Sequence, residues 1–248
     1  MRSAPLQPVG QVPPRFVDRF ADGALLLSSS VRTMGNSTES GTRRDTLLFL
    51  RADAAGTRVD SLPMTPASEA AFQFQLEGGQ IRGMNILTLP FMRNVHSAAA
   101  GTRYWQGTND AYEIVLRRAD GTPERIVRRA VEPVPVRGAY MDSLRRVQAT
   151  EHGPEAAKSL DQVQVPERLP AFDRLLVDDD AANLWVQRVA WPGSVPSECD
   201  VFDAEGQMLG TVQMPAGFRA TQIGADFVLG VGSDEDGVEY VRMYRLTK

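Results

Sequence analysis

Few residues in this chain are able to do chemistry. It has two histidines, His96 and His152, and one cysteine, Cys199. Two histidines without His-x-x-x-His spacing exclude a three-histidine zinc site. Ser97 stands beside His96, but the sequence has no Gly-x-Ser-x-Gly elbow, and neighbours along a strand point to opposite faces. The sequence therefore predicts no catalytic residue, no metal site and no cofactor.

Three further patterns resemble ligand-binding loops, and each fails on its spacing. Segment 153–159 is one residue short of a phosphate loop and has Ala157 where a glycine should precede the lysine. Segment 230–232 lacks the third glycine of a dinucleotide site. The acidic runs 178–180 and 234–236 could attract calcium, but their residues lack the alternating spacing of a calcium loop. We expect these acids to form turns.

Charge and composition narrow the classes of partner. The chain carries 27 basic and 31 acidic residues, a net charge of -4, which disfavours nucleic acid because phosphate neutralisation needs a basic surface. No run of eighteen apolar residues is present, so no membrane span is predicted. With 42% hydrophobic and 23% charged residues, the composition is that of a globular protein.

Any site must be positioned by short β-strands, because strand pairs joined by Asp/Gly turns recur along the chain. In these turns Gly121 and Gly206 are expected to adopt positive φ. Three copies are found: 46–51 with 57–62, 112–117 with 124–128, and 199–202 with 207–212.

A further strand pair precedes each of these hairpins, so the chain divides into similar units. The units span roughly 15–63, 93–131 and 168–215, and a fourth opens at Phe218 and stops one strand short. Segment 71–91 reads as an extra hairpin around Gly78-Gly79, either an insertion or an extension of an outer edge. Repeated small sheets with little helix are typical of a β-propeller.

One segment, 136–160, has a helical pattern. Tyr140, Leu144 and Val147 lie on one helical face, and Gly153-Pro154 ends the helix. We expect that face to pack on a face of the propeller.

A family pattern runs through these stretches of the chain: 169–178, 183–186, 201–206, 209–212, 217–218, 223–231 and 238–241, with 107–114 upstream. It resembles the carboxy-terminal half of bacterial six-bladed β-propellers of the NHL-like group. In one turn this sequence departs from the family pattern, with Ala181-Ala182 where glycine is expected.

Together these observations predict an all-β chain, a β-propeller of four to five blades of a six-bladed type, incomplete, with one helical insertion at 136–160. Residues 1–14, with four prolines, are predicted to be irregular, and 15–248 to form the propeller domain. No signal peptide is recognisable in the sequence as written. The resemblance implies a periplasmic or extracellular protein if the amino-terminal part is missing. The count of strands predicts an amino-terminally truncated or abbreviated member of the family, an open arc of blades. An open arc exposes blade faces and edges, so self-association through open blade edges is expected.

Five residues are the candidates for a binding surface. Strand ends beside loops often open on a face or on the central channel of a propeller, which selects Trp105, Asn109 and Asp110. His96 and Tyr140 are added as a strand histidine and a helix aromatic. Alternatively, Trp105 is buried with its indole nitrogen hydrogen-bonded, and His96 is a structural residue or a surface residue of its strand.

The function predicted from this architecture is that of a non-catalytic scaffold for a peptide, protein or glycan partner. The alternative is a metal-dependent propeller hydrolase or lactonase of the gluconolactonase type. That enzyme needs acidic and amide ligands converging on the central channel.

Overall fold

The computed structural model describes residues 13–31, 40–56, 59–87, 91–136, 138–162, 166–189, 197–233 and 238–247. Within them the chain forms four antiparallel sheets and a helical insertion. No helix of the described residues is long and apolar enough to cross a membrane.

Within each sheet the strands pair in chain order, as in a meander. The first sheet contains β1 (Arg15–Arg19), β2 (Leu25–Val31), β3 (Gly41–Ala52), β4 (Val59–Glu77) and β5 (Gln80–Leu87). The second contains β6 (Val95–Ala100), β7 (Arg103–Thr108), β8 (Glu113–Arg117) and β9 (Pro123–Arg128). The third contains β10 (Arg174–Val177), β11 (Leu184–Gln187), β12 (Glu198–Phe202) and β13 (Met208–Gln213). The fourth contains β14 (Phe218–Ile223), β15 (Phe227–Ser233) and β16 (Glu239–Arg245).

The first strands of the four sheets lie side by side. β6 contacts β1 and β10, and β10 contacts β14. Apolar side chains fill the space between successive sheets, such as Tyr104 between the first and second, Phe172 between the second and third, and Trp185 between the third and fourth. Sheets arranged radially around their first strands are the blades of a β-propeller. The predicted all-β propeller is therefore confirmed. The described residues form four of the predicted four to five blades, and the fourth blade has one strand fewer, as predicted.

The predicted hairpin turns are present. Gly121 has φ 86° and Gly206 has φ 78°, both in the region that favours glycine. The β8–β9 turn also docks on the first sheet, because a Cβ added to Gly121 would lie 2.1 Å from Pro63 Cδ. A Cβ added to Gly206 would lie 3.1 Å from Val127 on β9 of the second blade. Both glycines therefore allow a tight turn and also allow neighbouring blades to pack closely.

The extra hairpin at 71–91 is an extension of an outer edge, one of the two predicted possibilities. β4 runs on past Pro63 and Pro66, and β5 adds a fifth strand beyond it. Pro63 falls where the β3–β4 register shifts, so its missing N–H costs no regular ladder bond.

The insertion consists of α1 (Gly138–His152), α2 (Pro154–Ser159) and a 3₁₀ turn (Leu160–Gln162). Tyr140 and Leu144 are buried as predicted, and Met141 is buried with them against Phe91 and Leu169. Val147 is 43% exposed, so its predicted burial is wrong. It lies one turn beyond the apolar patch, which the first two turns of α1 already cover.

Candidate binding cleft

Trp105 and Asn109, both predicted at a binding surface, have buried side chains. Trp105 belongs to the apolar cluster between the second and third sheets. Asn109 Oδ1 accepts a hydrogen bond from the Asn94 N–H at 2.7 Å, and Asn109 Nδ2 donates to the Phe172 carbonyl at 3.0 Å. Asn109 thereby ties the end of β7 to the segment that leads into the third sheet.

His96 is half-buried next to these residues. Its ring centroid lies 5.5 Å from that of Phe172, and its Nε2 lies 3.4 Å from Asn109 Nδ2. Burial, and then the charge of Arg174, lower the pKa of His96 from 6.5 to about 4. The neutral imidazole can therefore accept a hydrogen bond from Asn109. Ser97 instead lies 3.5 Å from Gln106 Nε2, so the two neighbours on β6 have separate partners.

Asp110 is the most accessible of the five predicted residues, with a carboxylate that pairs with Arg44 at 2.8 Å and Arg93 at 3.0 Å. Burial alone would raise the pKa of Asp110, but hydrogen bonds from Arg44 and Thr108 and the two arginine charges lower it. The pairs join the second blade to the first.

Tyr140 lies apart from the other four residues, on the buried face of α1. Its ring meets Phe91 edge-on at a centroid distance of 5.7 Å. Burial, and then the charge of Asp173, raise the pKa of Tyr140. Of the five predicted residues, the structure brings Asn109 and His96 into contact. A binding role for all five remains a prediction.

A cavity of about 640 Å³ opens beside the insertion, between the second and third blades. We call it the arginine cleft. The cleft is lined by three arginines, two acids, a tyrosine and several apolar residues. These are Arg129, Arg168 and Arg188; Asp110 and Glu132; Tyr112; and, among the apolar residues, Val131, Val134, Leu169 and Val189.

The chain entering and leaving the insertion forms one wall of this cleft. The Leu169 N–H donates to the Val134 carbonyl at 2.8 Å, and the Val136 N–H donates to the Glu167 carbonyl at 2.9 Å. These bonds make a short antiparallel ribbon. Arg168 projects from this ribbon as an exposed residue, and no described acid forms an ion pair with it.

Beneath two of the arginines lies Asp200, a wholly buried carboxylate on β12. It pairs with Arg188 Nη2 at 2.7 Å and also with Arg129. Tyr112 Oη donates to it at 2.8 Å, and Thr211 Oγ1 at 3.0 Å. The Asp200 carboxylate accepts all of these bonds and so fixes the two guanidinium groups from below.

The pKa values of the cluster agree with that geometry. Burial alone would raise the pKa of Asp200, but hydrogen bonds from Arg188, Arg129, Tyr112 and Thr211 outweigh it and lower the pKa. Burial, and then Asp200, raise the pKa of Tyr112, so its hydroxyl keeps the proton that it donates. Asp200 is therefore ionised at neutral pH.

The side chains of Arg129 and Arg188 are each 31% exposed, whereas that of Asp200 is 0% exposed. A molecule entering the cleft would meet the guanidinium groups and not the carboxylate that holds them. Arg188 also pairs with Glu198. Such a wall can hold a carboxylate next to apolar groups, because arginine presents several N–H donors in a fixed plane.

Sequence reasoning missed this cluster. Asp200 follows Cys199 and precedes Val201 on β12, where all three side chains are buried. An acid between apolar residues of a core strand is a usable signal, because carboxylates are almost never fully buried without partners. The partners of Asp200 could not be identified from the sequence, since Tyr112 and Arg129 lie on another blade.

A second cavity, of about 770 Å³, lies along the first strands of the blades, where the alternative enzyme would hold its metal. The acids there have other partners. Asp18 accepts the Ala99 N–H at 2.7 Å, and Asp179 accepts Gln222 Nε2 at 2.6 Å. Asp178 accepts the N–H groups of its own turn. In the described part of the chain, no group of three His, Cys, Asp or Glu residues could hold a metal ion.

Fold and cleft together define a propeller-type protein with a polar cleft between blades. Neither a protein-family model nor a curated protein matches the sequence.

Several solved structures are similar to this chain at low sequence identity. A calcium-binding protein, regucalcin, from Agrobacterium tumefaciens is 14% identical, with 92% of this chain and 59% of that chain covered and a TM-score of 0.36. The periplasmic gluconolactonase of Pseudomonas aeruginosa is 13% identical, with 98% and 68% covered and a TM-score of 0.29. BamB from Moraxella catarrhalis is 10% identical, with 92% and 84% covered and a TM-score of 0.23. This chain thus spans less than two thirds of the regucalcin chain, and its fold assignment rests on its own four sheets.

Proposed function

We propose that this protein is a non-catalytic propeller scaffold that binds a peptide segment of a protein partner in the arginine cleft. The segment carries a carboxylate beside an apolar side chain. The observation that carries this proposal is the wholly buried Asp200, which holds Arg129 and Arg188 at the cleft wall. A receptor whose donors are fixed before binding loses less side-chain entropy when its ligand arrives.

The other walls of the cleft support the same ligand class. Arg168 supplies a guanidinium without an acidic partner among the described residues, and Leu169 and Val189 supply apolar surface. A volume of about 640 Å³ falls in the range of ordinary ligand sites and accommodates a few residues of an extended peptide. Glu132 is an exposed acid on the same lining, so a ligand of mixed charge also finds a partner. Membership of the NHL-like group and a six-bladed parent fold remain predictions.

A peptide selection tests the proposal. The immobilised 248-residue chain is used to select binders from a random peptide library, and selected peptides are then synthesised with a fluorescent label and titrated by anisotropy. We expect selected peptides to be rich in Asp or Glu next to Leu, Ile or Phe. We expect Arg168→Glu to weaken their binding by about tenfold or more, and added salt to weaken it as well.

The matched control is Arg219→Glu, an equal charge change at an exposed arginine of β14 in the fourth blade, which likewise has no acidic partner among the described residues. It should leave peptide affinity unchanged, and both variants should keep the wild-type melting temperature. Failure to select peptides, binders without acidic residues, or equal binding by the Arg168→Glu variant would each overturn the proposal.

A further inference from the structure

The outer edge of the fourth blade differs from the outer edges of the other three. β5, β9 and β13 each pair with the preceding strand through an irregular register. β16 pairs with β15 over all seven of its residues without a shift. Within the described residues, no strand pairs with the opposite edge of β16. Bulges protect outer strands from pairing with other chains, and β16 has neither a bulge nor a proline.

The two faces of β16 are also different. Tyr244 packs edge-on against Phe218 at a centroid distance of 4.9 Å, and Arg242 lies over Gly232. On the other face, Val241 is 76% exposed and Met243 is 70% exposed. A regular strand with a free edge and a partly apolar outer face is able to accept another strand.

The sequence of β16 is complementary to itself when two copies run antiparallel. With a two-fold axis at Arg242, Glu239 of one copy lies opposite Arg245 of the other, and Val241 lies opposite Met243. Opposite charges and apolar pairs facing each other across antiparallel strands are favourable, whereas the two Arg242 side chains oppose each other at a single position.

Other registers lose these pairs. A shift of two residues places Glu239 opposite Met243 or Thr247, so both ion pairs are lost. A shift of one residue places Val241 opposite Arg242 or Tyr244. The exposed face of one strand then continues into the packed face of the other.

We propose that two copies of this chain pair antiparallel through β16 in that register, and that the two three-stranded blades become one continuous sheet. The interface is isologous, since the same residues contribute from both copies. A second copy is favoured over an unrelated strand because the charges at the two ends of β16 match those of its own sequence.

Charge swaps test this dimer with the whole chain. Sedimentation equilibrium across a wide concentration range should show wild-type protein moving to twice the 27.2 kDa chain mass. Glu239→Arg places arginines opposite each other at both ends of the pairing and should weaken dimerisation by about tenfold or more, as should Arg245→Glu with its opposed glutamates. An equimolar mixture of these two variants restores both ion pairs and should dimerise like wild type.

Recovery by the mixture separates pairing from misfolding, because a misfolded variant would not regain affinity on mixing. Glu205→Arg, the same charge change at an exposed position of the β12–β13 turn, should dimerise like wild type. A wild-type chain that stays monomeric, dimerisation unchanged by Glu239→Arg, or a mixture that fails to associate would each overturn the proposal.

Discussion

At the scale of single residues, buried polar side chains set the geometry where elements meet. Asp178 Oδ1 accepts the N–H groups of Ala181 and Asn183, and this turn holds Ala182 at φ 56°. A non-glycine residue with positive φ needs such support. Asn109 and Asp200 serve in the same way between blades, because a buried polar group is costly until its hydrogen bonds are made.

His96 should make stability depend on pH. Its folded pKa of about 4 lies below its ordinary 6.5, so between these values the unfolded chain binds more protons than the folded one. The stabilisation is complete above about pH 6.5 and is lost as the pH falls toward 4, at no more than about 1.4 kcal/mol per pH unit. Urea unfolding at a series of pH values measures this slope. His96→Gln should reduce it, and an unchanged slope would contradict the burial of a neutral imidazole.

Alanine substitution of two glycines with positive φ distinguishes the cost of backbone strain from the cost of crowding between blades. Gly78→Ala adds a Cβ with no atom within 4 Å and should cost about 1 kcal/mol through strain alone. Gly121→Ala adds the same strain and a clash with Pro63, and should cost about 2–4 kcal/mol in the free energy of unfolding. Chemical denaturation of both variants provides the comparison, and equal costs would show that the β8–β9 turn does not press on the first blade.

At the scale of elements, the insertion is anchored by the beginning of α1. Tyr140, Met141 and Leu144 pack against Phe91 and Leu169, which joins the helix to both the first and third blades. The rest of the helix extends past this patch. The short packed segment at the start of α1 is enough to fix the helix, because helix stability in proteins comes more from tertiary packing than from helix propensity.

Alanine substitutions on α1 should reveal where it is anchored. Leu144→Ala removes a buried side chain and should lower the free energy of unfolding by about 2–3 kcal/mol. Val147→Ala, at a position that is 43% exposed, should change it by less than about 0.5 kcal/mol. Guanidinium denaturation measures both values. Comparable losses in the two variants would place Val147 in the apolar contact after all.

At the scale of the whole molecule, the four blades form a series joined through the strands β1, β6, β10 and β14. Polar cavities lie both along these strands and between the second and third blades. A propeller of this kind holds surfaces from distant parts of the sequence in fixed relation, as the proposed peptide binding and the proposed pairing through β16 both require.

The effect of calcium on stability distinguishes the proposed scaffold from the alternative metal-dependent hydrolase. A metal that binds only the folded chain raises its stability, by about 2.7 kcal/mol at a free concentration one hundred times the dissociation constant. We expect calorimetric melting temperatures to be the same with calcium chloride and with a chelator, since the channel acids Asp18 and Asp179 already hold other groups. A clear rise with calcium would favour the metal-dependent enzyme.

The sequence alone determined the units of this fold. Alternating strands and Asp/Gly turns are local features, since a positive φ at Gly121 or Gly206 depends on the few residues around it. For this reason the four blades, the extra hairpin and the position of the helix could all be predicted. The length of β4 could not be predicted in this way. Pro63 and Pro66 indicate the end of a strand, but β4 continues past both through irregular register.

Only the tertiary structure decided which side chains meet. Tyr112 and Arg129 reach Asp200 across 88 and 71 residues of sequence, and nothing near any of the three indicates the others. The burial of Asn109 and the exposure of Val147 likewise depend on what packs beside them. Alternation fixes the side of a sheet to which a residue points, but the neighbouring blade determines whether that side is core, cleft or solvent.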